Sequence, residues 1–188
     1  MLIIVKFILL TFILFFYYPS TTKSESIQKL EQLKPVIEHM KTATDDDNDK
    51  VLQYVLIRCA GLFYGASNAE HQRTADAVVE KSKRNKLLFG PKKGLSKKLE
   101  GFGKDLHELA IHLQIKFDGS KNNEKLIKKS NLDVNLRIND FTLMYTFRMF
   151  DNLENDGTII KNDKILGDDS FACTGMHEQI FKSKNKNH

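Results

Sequence analysis

The sequence predicts an all-α protein: one bundle of five or six helices behind an N-terminal apolar segment. Three observations predict it. Apolar residues recur at threes and fours along nearly the whole body, the spacing of a buried helix face. Strand patterns are almost absent. The body has the length of one domain and can bury a core of its own, and the whole chain carries 41% hydrophobic and 28% charged residues and three prolines.

The first element is not part of the bundle. MLIIVKFILLTFILFFYY is apolar and aromatic apart from Lys6 and Thr11, and PSTTKSES follows it. A short basic start, an apolar run and a polar exit match a secretory signal. The run from Leu2 to Tyr18 is also at the short limit of a spanning helix, which Pro19 would end. Residues 1–24 are therefore expected to be a cleaved signal peptide or a retained membrane anchor. Either one takes the body out of the cytoplasm, to be periplasmic, secreted or anchored.

Residues 25–183 are expected to form the helical domain, and residues 184–188 a disordered tail. Ile27, Leu30, Leu33, Ile37 and Met40 share one helix face, Ser24 or Ser26 is placed to cap it, and Pro35 should kink or split it. TDDDND is a turn whose carboxylates suit the start of the next helix. That helix carries Val51, Val55, Cys59, Leu62, Phe63 and Ala66 on one stripe. Asn68 is read as the cap of a further helix, AEHQRTADAVVEKSKRNKLLF, which Gly90, Pro91 and Gly94 end. Leu95, Leu99, Phe102, Leu106, Leu109, Leu113 and Phe117 make the clearest stripe, while Ile111 and Ile115 opposite it suggest a second buried layer or a self-association surface. DGSKNN is a loop, and NLDVNLRIND reads as a short strand or a loop. DFTLMYTFRMFDNL is apolar on nearly all sides, as a buried helix is, and ENDGT ends it. A last helix is expected from Asp168 or Asp169 to about Lys182.

Cys59 and Cys173 both lie on apolar helix faces, and in an oxidising compartment two such cysteines are a natural disulfide pair. The alternatives are two packed free thiols or a reactive site. A C-x-x-C motif is missing, while His177 lies four residues from Cys173 and so on its face.

Other motifs fall short of their chemistry. In HELAIH, His107 and His112 are five apart, about 140° around a helix, where a zinc pair needs four. His112 is instead expected beside Glu108 on the polar face. In FRMFDNLENDGTIIKND, Asn152, Glu154 and Asp156 precede Gly157 as in a calcium loop. Asp163 then stands where a bidentate glutamate belongs, so the stretch reads as a helix end and turn. No metal, cofactor or catalytic residue is assigned; His177, Cys173 and Glu108 are the candidates if the protein is an enzyme.

Two binding features remain. Arg58 and Arg148 each sit in a strongly apolar helix, with Tyr145 near Arg148 in sequence. A buried arginine needs a carboxylate, and Asp133, Asp140 and Glu38 are the partners considered. Such a pair either is structural or lines a pocket for an anionic ligand. The second feature is EKSKRNKLLFGPKKGLSKK, with Lys81, Lys83, Arg84, Lys86, Lys92, Lys93, Lys97 and Lys98 against one acid, Glu80. It is either a solvated surface or a contact for an anionic membrane surface or acidic polymer, with Leu87, Leu88 and Phe89 adding apolar grip. An exported chain without a DNA- or RNA-reading motif is not expected to bind nucleic acid.

Two segments, YVLIRCAGLFYGAS followed by AEHQRTADA, and ILGDDSFAC, resemble an uncharacterised group of short exported bacterial helical proteins. These carry an N-terminal signal and an I/S-R-C-x-x-L-aromatic helix. The resemblance spans most of the body and implies no activity. It does imply that Cys59 and Cys173 belong together. The function expected is that of an exported, non-enzymatic binding or envelope-associated protein, with a small-ligand-binding bundle or an enzyme as alternatives.

Overall fold

A 33-residue helix, α3 (Asn48–Glu80), forms the axis of the computed structural model and packs against four other helices. Every residue from Val55 to Phe63 is buried, so no side of this segment faces water. Around it stand α1 (25–31), α2 (Val36–Thr42), α4 (Leu95–Phe117), α5 (Glu124–Asp156) and α6 (Lys164–Lys182). The structure describes residues 25–42, 48–80, 94–119, 122–160 and 162–182. The predicted N-terminal segment, six of the eight basic positions (Lys81, Lys83, Arg84, Lys86, Lys92 and Lys93) and the C-terminal tail lie outside them. The fold is the expected all-α single bundle.

Local chemistry explains the breaks. Pro35 lacks an amide hydrogen and separates α1 from α2, as its position predicts. Ser26 lies inside α1 rather than at its cap. Gly94, at φ 81°, starts α4, and Gly157, at φ 66°, ends α5; both take the left-handed conformation that a Cβ disfavours. Asn123 caps α5, its side-chain oxygen accepting from the amides of Lys125 and Leu126.

Three boundaries differ from the expectation. Asn68 caps nothing: α3 runs through it, and its amide donates to Thr146 Oγ1 at 3.3 Å. NLDVNLRIND is neither strand nor loop but part of the continuous α5. Its alternation of Leu132, Val134, Leu136 and Ile138 looked like period two. In the helix Val134 and Ile138 face the core while Leu132 and Leu136 face out. The last helix begins at Lys164, not Asp168, because Asp163 accepts from the amide of Leu166 and caps it. On α4, Ile111 is partly buried against the core, which is the second-layer reading of that residue.

Close approach of α3 and α5 depends on two glycines spaced four apart. A Cβ on Gly61 would sit 2.5 Å from Phe141 Cβ and 3.0 Å from Thr142 N. On Gly65 it would sit 2.9 Å from Tyr145 Cβ and 3.0 Å from Thr146 N. These neighbours are backbone or backbone-anchored and cannot swing away. Gly61→Ala is therefore expected to cost roughly 1–3 kcal/mol by overpacking. Gly175→Ala, in α6 with nothing within 4 Å of the added Cβ, should stabilise by roughly 0.5–1 kcal/mol. Urea titrations of the two variants check the opposite signs.

Candidate functional site

The densest group of buried polar side chains surrounds Arg58. The Pro35 break creates the need for it. Where a helix would have continued, the Lys34 carbonyl and the Val36 amide lose their helical partners, and Val36 is fully buried. Arg58, on α3, donates from Nη1 to the Lys34 carbonyl at 2.6 Å. Asp169, on α6, accepts from the Val36 amide at 2.7 Å through Oδ1. The two side chains then meet: Arg58 Nη2 lies 2.5 Å from Asp169 Oδ2, and both are 0% exposed. Tyr145, on α5, closes the group. Its hydroxyl accepts from Arg58 Nε at 2.7 Å and donates to Asp169 Oδ2. Tyr54 Oη, one turn before Arg58, accepts a longer bond at 3.3 Å.

The electrostatics are mutually consistent. Burial works against the Arg58 charge, but Tyr145 and Asp169 outweigh it and raise its pKa, so the guanidinium stays charged. Burial and the Asp169 charge push the Tyr145 hydroxyl well above its ordinary value, against the pull of Arg58, so it remains a donor. The network holds α3, α5, α6 and the start of α2 at one point.

A covalent tie lies beside it. Cys59, next to Arg58, and Cys173, four residues after Asp169, form a disulfide with their Cα atoms 5.3 Å apart, and both are fully buried. Sulfur chemistry at Cys173 is thereby committed to the bridge. His177, the expected neighbour of Cys173, turns to other partners. Its Nε2 lies 2.8 Å from Asp105 Oδ2 on α4, and its ring packs 4.0 Å from Phe102 and 4.8 Å from Phe181. Glu108 is exposed on α4. His112 donates to the Glu108 backbone carbonyl at 2.7 Å, not to its carboxylate.

The structure brings Arg58 and Tyr145 into one group and leaves Arg148 in another. Arg148 Nε lies 2.5 Å from Asp163 Oδ2 and Nη1 2.9 Å from Glu31. The carboxylates that meet these arginines are Asp169 for Arg58 and Asp163 and Glu31 for Arg148, rather than the expected Asp133, Asp140 or Glu38. Asp169 lies on the C-terminal helix, 111 residues from Arg58, and Asp163 caps that helix, 15 residues from Arg148. Asn152 also points to Asp163, donating at 3.2 Å, and Glu154 and Asp156 lie within α5 rather than on a loop. Among the described residues no three His, Cys, Asp or Glu side chains gather as metal ligands would.

Burial pushes the Asp163 carboxyl up, but Arg148, the Leu166 amide and Asn152 outweigh it and hold it below the usual carboxylate range. A depressed carboxylate pKa stabilises the fold above the unfolded value of about 3.9, and that contribution is lost as pH falls through the folded value. The melting temperature should therefore drop as pH is taken below about 4. Asp163→Asn, which cannot titrate, should flatten that slope; melts at stepped pH measure it.

A further cluster fastens α3 to the start of α4. The Ser67 hydroxyl donates to the Ser96 carbonyl at 3.1 Å, and Ser96 Oγ lies 2.6 Å from His71 Nε2. Neither serine is marked by the sequence, where a lone hydroxyl in a helix carries no signal. The exposed Lys97 and Lys98 follow in the same turn, with Lys98 Nζ 5.4 Å from the Phe102 ring centroid.

No protein-family model, no curated protein and no solved structure matches this chain.

Proposed function

We propose that the protein is exported and acts by binding, through the basic stretch that leads into α4, to an anionic membrane surface. The observation that carries this is the start of α4. Gly94 makes no side-chain cap bond, so the first-turn amides keep their partial positive charge, and the exposed Lys97 and Lys98 add to it. In sequence this end continues a stretch whose other six basic positions flank Leu87, Leu88 and Phe89. Export is supported by the apolar residues 2–18 and by a disulfide, which persists in oxidising compartments. Among the described residues no helix is long and apolar enough to cross a membrane.

The small-ligand reading is less favoured, because Arg58 spends its donors on Tyr145, Lys34, Tyr54 and Asp169. Vesicle co-sedimentation tests the proposal. Binding should appear with phosphatidylglycerol-containing vesicles, be absent with phosphatidylcholine alone, and fall steeply with salt. Each Lys→Gln change among the seven lysines, or Arg84→Gln, should weaken it by roughly 1 kcal/mol where the side chain reaches the surface. Binding indifferent to lipid charge and salt would contradict the proposal, as would binding to an acidic polysaccharide but not to vesicles.

A further inference from the structure

The outer face of α5 carries an apolar line that the described residues leave uncovered. Leu132, Leu136 and Leu143 are 56%, 54% and 50% exposed. Their spacing of four and seven places them on one side of the helix, and the part-buried Phe147 continues the line. Val134, Ile138, Tyr145 and Met149, which face the core, lie on the opposite side. A helix with water on one side has no need of leucine there, and a contiguous apolar line marks a contact surface.

The charges along this line indicate the partner. Lys125 and Lys128 stand at its N-terminal end, and Asp151 and Glu154 at its C-terminal end. This order opposes the helix dipole, which favours acids first and bases last. The last turn of α5 contains no base at all. Within one helix Glu124, in the first turn and 2.6 Å from Lys128 Nζ, offsets part of this arrangement, and two antiparallel copies offset the rest. A two-fold axis between Asn139 and Asp140 sets Leu136 opposite Leu143 and Leu132 opposite Phe147. The same axis sets Lys128 opposite Asp151 and Lys125 opposite Glu154. At the axis Asn139 meets the other copy's Asp140, an amide–carboxylate pair able to fix the register.

We propose that α5 is a self-association surface that pairs antiparallel with α5 of a second copy. The apolar line from Leu132 to Phe147 spans about 22 Å of helix at 1.5 Å per residue. That is a narrow seam against the roughly 800 Å² per partner of a stable interface, so the dimer is reversible and depends on concentration.

Sedimentation equilibrium of the disulfide-bonded protein, from low micromolar to submillimolar concentration, tests this. A reversible monomer–dimer equilibrium is expected. Leu136→Glu with Leu143→Glu should give a monomer throughout that range, with unchanged helical circular dichroism, since both sites are exposed. Lys125→Glu with Lys128→Glu should weaken the dimer about tenfold through four reversed pairs. Adding Asp151→Lys and Glu154→Lys to that variant should restore the association. A wild-type monomer at every concentration would overturn the proposal. So would a dimer indifferent to the two Leu→Glu changes, or a charge-swapped variant that fails to recover.

Discussion

Asp169→Ala is expected to destabilise the protein by about 3–5 kcal/mol, the cost of leaving a buried charge without its partner. Arg58 remains charged at any accessible pH, lies at 0% exposure and loses its carboxylate. The Tyr145 hydroxyl and the Val36 amide lose an acceptor in the same change. Asp169→Asn should cost less, because the amide oxygen still accepts one of these bonds while the charge is gone. Urea unfolding with the disulfide intact measures both. A loss below about 1 kcal/mol for Asp169→Ala would mean that Arg58 finds water or another acceptor, and that the network does not hold the bundle.

Cys59→Ala with Cys173→Ala should cost about 5 kcal/mol, the chain entropy of opening a loop whose ends are 114 residues apart. A domain of this size is stable by only about 5–15 kcal/mol, so this loss is a third of the total or more. Alanine is the better probe than serine, since both positions are fully buried and a hydroxyl there would need a partner. The two large effects should not add. Arg58 and Cys59 are adjacent on α3, and Asp169 and Cys173 lie one turn apart on α6, so either tie still holds α6 when the other is removed. Combining Asp169→Ala with the double alanine variant should therefore cost more than the two separate losses together, seen as failure to fold rather than as a further shift in midpoint.

The parts of this architecture that were legible in the sequence are those written locally. The inward faces of Cys59 and Cys173 follow from helical spacing, and the split at Pro35 follows from a missing amide hydrogen. The breaks at Gly94, just before the Leu95 stripe, and at Gly157 follow from glycine's access to positive φ. What was not legible depends on distant residues. Asn68 has a capping side chain, but burial of its neighbours Ser67 and Ala69 keeps α3 continuous through it. The alternating residues 132–138 mimic a strand because one pair faces the core and the other faces out, a pattern that period counting cannot separate. The site shows the same division. Arg58 announces itself as a cation in an apolar helix, yet its partner Asp169 lies 111 residues away in a stretch read only as the start of the last helix. The Gly61–Gly65 spacing of four is a local signal of close helix approach, but the element that approaches, α5, is not written beside it.

Intact-mass measurement of the protein recovered from the medium or periplasm of cells expressing the full-length chain, with and without reductant, tests most directly the claim of an exported, disulfide-tied bundle. The mature chain should begin beyond the apolar segment, weigh two hydrogens less than its reduced form, and yield no thiol until reduced. A full-length chain confined to the cytoplasm with both cysteines free would contradict it, and would remove the oxidising compartment on which the proposed membrane-surface role depends.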